Sequence, residues 1–224
     1  MKKILGILLA ILMVALAVAG CGTEKVENKV LTVTETYGDD KKIEYKGAFT
    51  GELKGGKPNG NGVFKTQTSQ GTKFTYTGGF KNGMFDGEAI LNFESGSRTE
   101  TTFKDGKSHG KSKAYYPNGK IAMECERKNG KLNGIRKEYY ENGQLQSEGE
   151  FKDGKPVGVH KVNYESGKLF FEVEHKDGKA DKFKEFYENG ALKYEGDLNG
   201  EGIEYNKNGT IKYKGKFVKG KPAR

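Results

Sequence analysis

A turn signal of the form Lys-Asp/Asn-Gly-Lys returns along this chain at near-constant spacing. Its first glycine falls at Gly83, Gly106, Gly130, Gly154, Gly178, Gly200 and Gly220, in steps of 23, 24, 24, 24, 22 and 20 residues, and Gly56 belongs to an earlier, degenerate copy. A period of this length is the mark of one supersecondary unit repeated in tandem. Between these turns a second signal recurs: Glu94-Ser95-Gly96, Pro117-Asn118-Gly119, Glu141-Asn142-Gly143, Glu165-Ser166-Gly167, Glu188-Asn189-Gly190 and Lys207-Asn208-Gly209. Asn-Gly between alternating apolar residues is a strong hairpin signal, because both turn positions favour positive φ. Two turns per unit leave two strands of about eight residues, joined in sequence order as an antiparallel meander. In one unit Ile135 to Glu141 is a strand, Asn142-Gly143 the turn and Gln144 to Lys152 the return strand.

The return strands align in columns two residues apart, so the columns share one face. One holds Ile121, Leu145, Leu169, Leu192 and Ile211. Another, just before the next turn, holds Phe49, Phe80, Phe103, Arg127, Phe151, His175, Leu198 and Phe217. Beside it runs a small-residue column that includes Gly47, Gly78, Cys125, Gly149, Gly196 and Gly215. Glycine there lets rings from neighbouring strands lie over bare backbone. A further aromatic column, Phe93, Tyr116, Tyr140, Tyr164 and Tyr187, precedes the hairpin turn. Only 33% of residues are hydrophobic, and with 12 Tyr, 13 Phe and no Trp the aromatics must carry much of the core. A thick two-layer core is not expected.

The unit Gly149-Glu150-Phe151-Lys152-Asp153-Gly154-Lys155-Pro156-Val157-Gly158, which follows Tyr140, Asn142-Gly143 and Leu145, resembles the MORN repeat. Tyr45 to Phe49 and Tyr76 to Phe80 are similar to its usual Tyr-x-Gly-x-Phe form, and the middle of the chain to its bacterial variant. The resemblance covers about residues 43–224. It implies an all-β fold, an elongated antiparallel meander of about seven tandem β-hairpins in a single twisted sheet, each hairpin touching only its neighbours. Residues Gly83, Gly106, Gly130, Gly154, Gly178, Phe151, Tyr140 and Leu145 are its structural positions. Lys182 in place of a turn glycine, the longer segment 57–74 and the shortened last repeat depart from the pattern. Some members of the variant family are described as antitoxins, which implies an alternative role as an antitoxin- or immunity-like protein sequestering a toxic partner.

The N-terminus is an address rather than part of the fold. Lys2-Lys3 precede an apolar run from Ile4 to Ala19, a positive and then hydrophobic pattern of a signal peptide. Val18-Ala19-Gly20-Cys21 resembles a bacterial lipobox, which implies cleavage before Cys21 and acylation of its sulfur. Acyl chains anchor because each buried methylene contributes about 0.8 kcal/mol. The expected organisation is a signal peptide at 1–20, a lipidated cysteine and tether at 21–42 with a first strand from Val30 to Tyr37, and the repeat domain at 43–224. Gly22, where Asp often signals retention in the inner membrane, points to the outer membrane in a cell that has one.

The net charge is +9, or +7 once Lys2 and Lys3 are removed. Acidic residues are interleaved with the lysines, and no run of Lys/Arg grips phosphates, so a nucleic-acid partner is not expected. His109, His160 and His175 lie in three different repeats, and no zinc spacing links them. Cys125 reads as a small buried strand residue without a base beside it. The recurrent turn glutamates reflect turn chemistry rather than acid–base work. No catalytic residues, metal or cofactor are therefore expected. The expected role is a membrane-anchored scaffold in the bacterial envelope, binding a protein or an envelope polymer through its repeats.

Overall fold

The computed structural model describes residues 22–37, 41–176, 178–197, 199–218 and 220–223. Within them the chain is all β: β1 (Thr23–Tyr37), β2 (Lys41–Lys54), β3 (Lys57–Gln67), β4 (Lys73–Lys81), β5 (Met84–Phe93), β6 (Arg98–Lys104), β7 (Lys107–Tyr115), β8 (Ile121–Lys128) and β9 (Lys131–Leu132). There follow β10 (Gly134–Tyr139), β11 (Leu145–Lys152), β12 (Lys155–Asn163), β13 (Leu169–Lys176), β14 (Lys179–Phe186), β15 (Leu192–Gly196), β16 (Glu201–Tyr205), β17 (Ile211–Val218) and β18 (Lys221–Pro222). Strands pair antiparallel with their sequence neighbours, and β8 pairs with both β9 and β10 around a break at Asn133.

The two turn signals build two different turns. At Asn82-Gly83, Asp105-Gly106, Asn129-Gly130 and Asp153-Gly154 both residues are left-handed, with φ of 49–53° and 78–81°. These are two-residue type I′ turns, whose twist matches that of the strands they join. Asn-Gly was expected to do this in the other turns, and there it does not. At Tyr140–Gln144 the Tyr140 N–H donates to the Gln144 carbonyl at 2.9 Å and the Gly143 N–H to the Tyr140 carbonyl at 2.8 Å. Only Gly143 is left-handed there, at φ 95°. The loop has three residues, and Asn142 turns its Oδ1 to accept the Gln144 N–H at 2.8 Å. Asn118, Asn189 and Asn208 do the same for Lys120, Ala191 and Thr210. The extra residue shifts the register after each such turn, as at Glu138/Tyr139 and Val162/Asn163.

The first strand is longer than its pattern. It begins at Thr23, seven residues before the expected Val30 and two after Cys21. Residues 23–29 are exposed or nearly so and lack alternation, but their backbone pairs with Gly51–Lys54 of β2 across a bulge at Val26/Lys29. Backbone pairing leaves no period in the side chains, so periodicity misses it. The far half of β1 stays paired with β2 and also meets β5 at Met84. The Thr34 N–H donates to the Gly83 carbonyl at 3.1 Å and the Thr36 N–H to the Gly106 carbonyl at 2.8 Å. Strands β1 to β6 thus curl around one cluster: Val33, Phe49, Leu53, Phe64, Phe74, Tyr76, Phe80, Phe85, Ala89 and Phe103. The rings of Tyr76 and Phe85 stack at 4.1 Å. The thin single-layer core expected throughout holds only beyond β6, where buried side chains are few: Ser112, Cys125, Tyr194 and Phe217 among the described residues.

Glycine serves close approach as well as turns. The Phe49 ring lies across Gly62 of β3, where an added Cβ would stand 2.6 Å from Phe49 Cε2. Tyr194 covers Gly202 of β16, and His160 covers Gly149 of β11, in the same way.

Candidate binding surface

The sheet offers two faces and two edges, and each is built by a different repeat position. The inner face carries the aromatic and glycine columns. Phe151 packs edge-on against His160 at 5.0 Å, and His160 lies 4.5 Å from His175. The His160 Nε2–H donates to the Glu150 carbonyl at 2.8 Å. Burial, then the neighbouring His160, holds the His175 imidazole below its ordinary pKa, and its buried Nδ1 has no hydrogen-bond partner. His109 sits in β7 opposite Thr102. Cys125 is buried.

The outer face carries a ladder that runs across the strands. Glu100 is opposite Lys113, Lys113 opposite Glu124, Glu124 opposite Lys137 and Lys137 opposite Glu148. The alternation continues through Lys161, Glu172, Lys184 and Glu195 before Ile203 and Lys214 end it. Ion pairs close at Lys113–Glu124 (2.9 Å) and Lys137–Glu148 (2.8 Å). Tyrosines from the next hairpin donate to the carboxylates: Tyr115 to Glu100 and Tyr139 to Glu124, each at 2.9 Å, and Tyr205 to Glu195 at 2.7 Å. Hydrogen bonds from Lys113 and then Tyr139 hold Glu124 below the usual carboxylate range. The bond to Glu124 raises Lys113 in turn. Opposite charges facing one another across strands contribute about 0.2–1 kcal/mol each, and like charges would oppose pairing. The ladder therefore supports strand order as well as stability. Near its C-terminal end lies a depression of about 700 Å³, lined by Glu172, Glu174, Lys182, Lys184 and Glu195 among others.

The edge formed by the three-residue turns is stapled from repeat to repeat. The Tyr116 hydroxyl donates to the Tyr139 carbonyl at 2.6 Å, Tyr140 to Asn163 at 2.7 Å, Tyr164 to Phe186 at 2.9 Å and Tyr187 to Tyr205 at 2.9 Å. Each tyrosine thus bonds the strand that opens the next such turn. Charge on this edge balances: Lys73, Lys120, Lys168 and Lys207 against Glu94, Glu141, Glu165 and Glu188.

The opposite edge, formed by the type I′ turns, is basic. From the turn at Gly55 to the turn at Gly178 it gathers eleven lysines: Lys54, Lys57, Lys81, Lys104, Lys107, Lys128, Lys131, Lys152, Lys155, Lys176 and Lys179. The acids in the sequence of those turns are Asp105, which pairs with Lys81 at 3.0 Å, Asp153 and Asp177, and Asp86 beside them accepts the Asp105 backbone N–H at 3.4 Å. The next turn, at Gly200, has Asp197 and Glu201 in place of lysines and ends the row. Backbone bonds stack the turns, from the Gly83 N–H to the Pro58 carbonyl (3.0 Å), Gly106 to Phe85, Gly130 to Ser108 and Gly154 to Leu132 (each 2.8 Å). A reading along the chain finds no basic cluster because these lysines arrive two at a time, some 24 residues apart. The signal was present all the same in the two lysines that bracket every one of these turns but that at Gly83, where Met84 follows.

The structural positions named from the sequence fall into these surfaces. Gly83, Gly106, Gly130 and Gly154 are the second residues of type I′ turns, and Gly178 is left-handed at φ 76°. Tyr140 is a staple, Phe151 stacks on His160, and Leu145 is half-buried opposite Tyr139. Cys21 and its preceding Val18, Ala19 and Gly20 lie outside the described residues. Among the described residues, no group of three or more His, Cys, Asp or Glu is arranged to hold a metal ion.

Tandem hairpins with these turns, staples and glycine contacts define a repeat protein of the MORN class. The model of the MORN repeat variant matches residues 108–129, 132–153, 156–177, 182–197 and 198–219. The model of the MORN repeat itself matches 49–68, 76–98 and 148–159. Together they span most of the chain after β1, and the chain belongs to the MORN-repeat proteins. No curated protein matches it.

Proposed function

We propose that the chain is a lipoprotein, anchored in the bacterial envelope through an acylated Cys21, whose MORN repeats form a binding scaffold rather than a catalytic site. One observation carries the binding reading. The repeat positions that are not spent on packing build two long surfaces, the Glu/Lys ladder and the lysine edge, rather than one convergent cleft. Repeat arrays use such extended surfaces to hold partners. The ion pairs fit this reading, since Lys81 with Asp105, Lys113 with Glu124 and Lys193 with Glu185 are paired locally and spread along the sheet. The lipobox supplies the anchor. Because β1 starts at Thr23, an acyl group on Cys21 holds the first hairpin within two residues, about 7 Å, of the membrane.

The test is a crosslinking pull-down of tagged protein from its own cells, with fatty-acid labelling read in parallel. Labelling that disappears in Cys21→Ala, together with a partner whose recovery falls stepwise as repeats are deleted, is the expected result. Unlabelled protein removes the anchor from the reading. A partner lost in full with one residue and unaffected by repeat deletion removes the scaffold.

A further inference from the structure

We propose that the lysine edge seats a flexible, linear phosphate polymer. This deepens the scaffold reading and rests on it, by naming the chemistry of the ligand.

The first observation is a contrast in pairing. On the outer face every step of the ladder from Glu100 to Glu195 sets opposite charges across from one another. At the type I′ turns the reverse holds: Lys104 is directly opposite Lys107, Lys128 opposite Lys131, Lys152 opposite Lys155 and Lys176 opposite Lys179. Lys54 and Lys57 repeat the arrangement at the first turn. Like charges directly opposite destabilise a pair of strands. The same fold that avoids this on its face repeats it on one edge, and at Lys54/Lys57, Lys152/Lys155 and Lys176/Lys179 an anion lying between the two ammonium groups relieves it.

The second observation is geometric. Each hairpin adds two strands, so the turns recur about every 10 Å along the edge. Six turns, five with a lysine pair and the Gly83 turn with Lys81 alone opposite Met84, make a row of about 50 Å, closed by Asp197 and Glu201. A small anion meets one pair, whereas a chain of phosphates meets them all. The row is also not planar. The turns at Gly83 and Gly106 bend in to bond Thr34 and Thr36, and sheets of many strands twist besides. A flat membrane therefore reaches a few turns at most, while a flexible polymer follows the whole row. The opposite edge, whose turns carry as many acidic residues as lysines in the sequence, offers no such field.

The probe is inorganic polyphosphate of graded length, with full-length protein in neutral detergent. Affinity should rise with polymer length until the chain spans the row, and then level off. K152Q/K155Q/K176Q/K179Q should weaken binding and flatten the slope of log affinity against log salt by about 3, at about 0.7 per lysine lost. The free variant should melt at a higher temperature than the parent, because repulsion has been removed. K73Q/K120Q/K168Q/K207Q loses the same charge from the other edge and should bind as the parent does. Equal losses in the two variants, affinity independent of length, or tighter binding to anionic vesicles through the same lysines would each overturn the proposal. If polyphosphate fails but the pull-down recovers a repeat-dependent protein, the scaffold stands and the phosphate polymer falls.

Discussion

Tyr116, Tyr140, Tyr164 and Tyr187 should act as four equal, separable joints between hairpins. Each hydroxyl donates to a carbonyl one hairpin further along, at 2.6–2.9 Å, and each ring is half-buried. Tyr→Phe keeps the ring and removes only that bond. A neutral hydrogen bond of this kind contributes about 0.5–1.5 kcal/mol net. Partial exposure lets water replace the lost donor, so the loss per site should be about 1 kcal/mol. Successive staples sit about 10 Å apart on different strands, beyond the range at which substitutions usually couple. The quadruple variant should therefore lose about 4 kcal/mol. At about 2–4 °C per kcal/mol for a domain of this size, its melting temperature should fall by roughly 8–16 °C. Tyr115→Phe is the comparison, since its hydroxyl meets the half-exposed Glu100 carboxylate, which Arg98 also pairs, and its loss should cost less. Urea and thermal melts measure the set, and amide exchange at the three-residue turns shows whether opening is local to the altered joint. Single variants that melt with the parent, or a quadruple whose loss equals that of one single, would refute the idea of independent joints.

Two further predictions concern the core and the half-buried carboxylate of Glu35. Phe85 is 1% exposed and stacked on Tyr76, so Phe85→Ala should cost about 3–5 kcal/mol, and Phe151→Ala, half-buried in the thin part of the sheet, clearly less; equal losses by denaturant titration would contradict a core concentrated in β1–β6. Burial raises the Glu35 carboxyl above its ordinary 4.5, against the opposing Tyr45 hydroxyl and the more distant charge of Arg127. Glu35 therefore adds stability below the ordinary value that is lost as pH rises through the raised one. Stability of Glu35→Gln relative to the parent should grow from pH 4 to pH 7, and a gap that is constant or narrows over that range would show that Glu35 is not held in its neutral form.

Much of the architecture was legible because turns are local chemistry. A Lys-Asn/Asp-Gly-Lys quartet specifies a two-residue hairpin wherever it stands, and its period sets strand length and order. The aromatic and glycine columns followed from alternation alone, as did the burial of Cys125. Asn-Gly in the other turn misled because the same dipeptide suits two loops. The choice fell to the bulge after Gly143, which the register of the paired strands decides. The early start of β1 was silent in the sequence, since Thr23–Lys29 is held by backbone bonds to β2 that any polar side chains allow. Its reach to Gly83 and Gly106, and the curl that concentrates the core in six strands, depend on contacts some 50 to 70 residues apart.

The surfaces divide in the same way. Every lysine of the basic edge, and every Glu and Lys of the ladder, is visible in the sequence as part of a repeat. That the former stand in one row and the latter alternate in sign across nine positions was decided by pairing register alone. Periodicity along a strand tells which face a side chain takes. Only the stacking of strand upon strand, about 4.8 Å apart, tells which charges become neighbours.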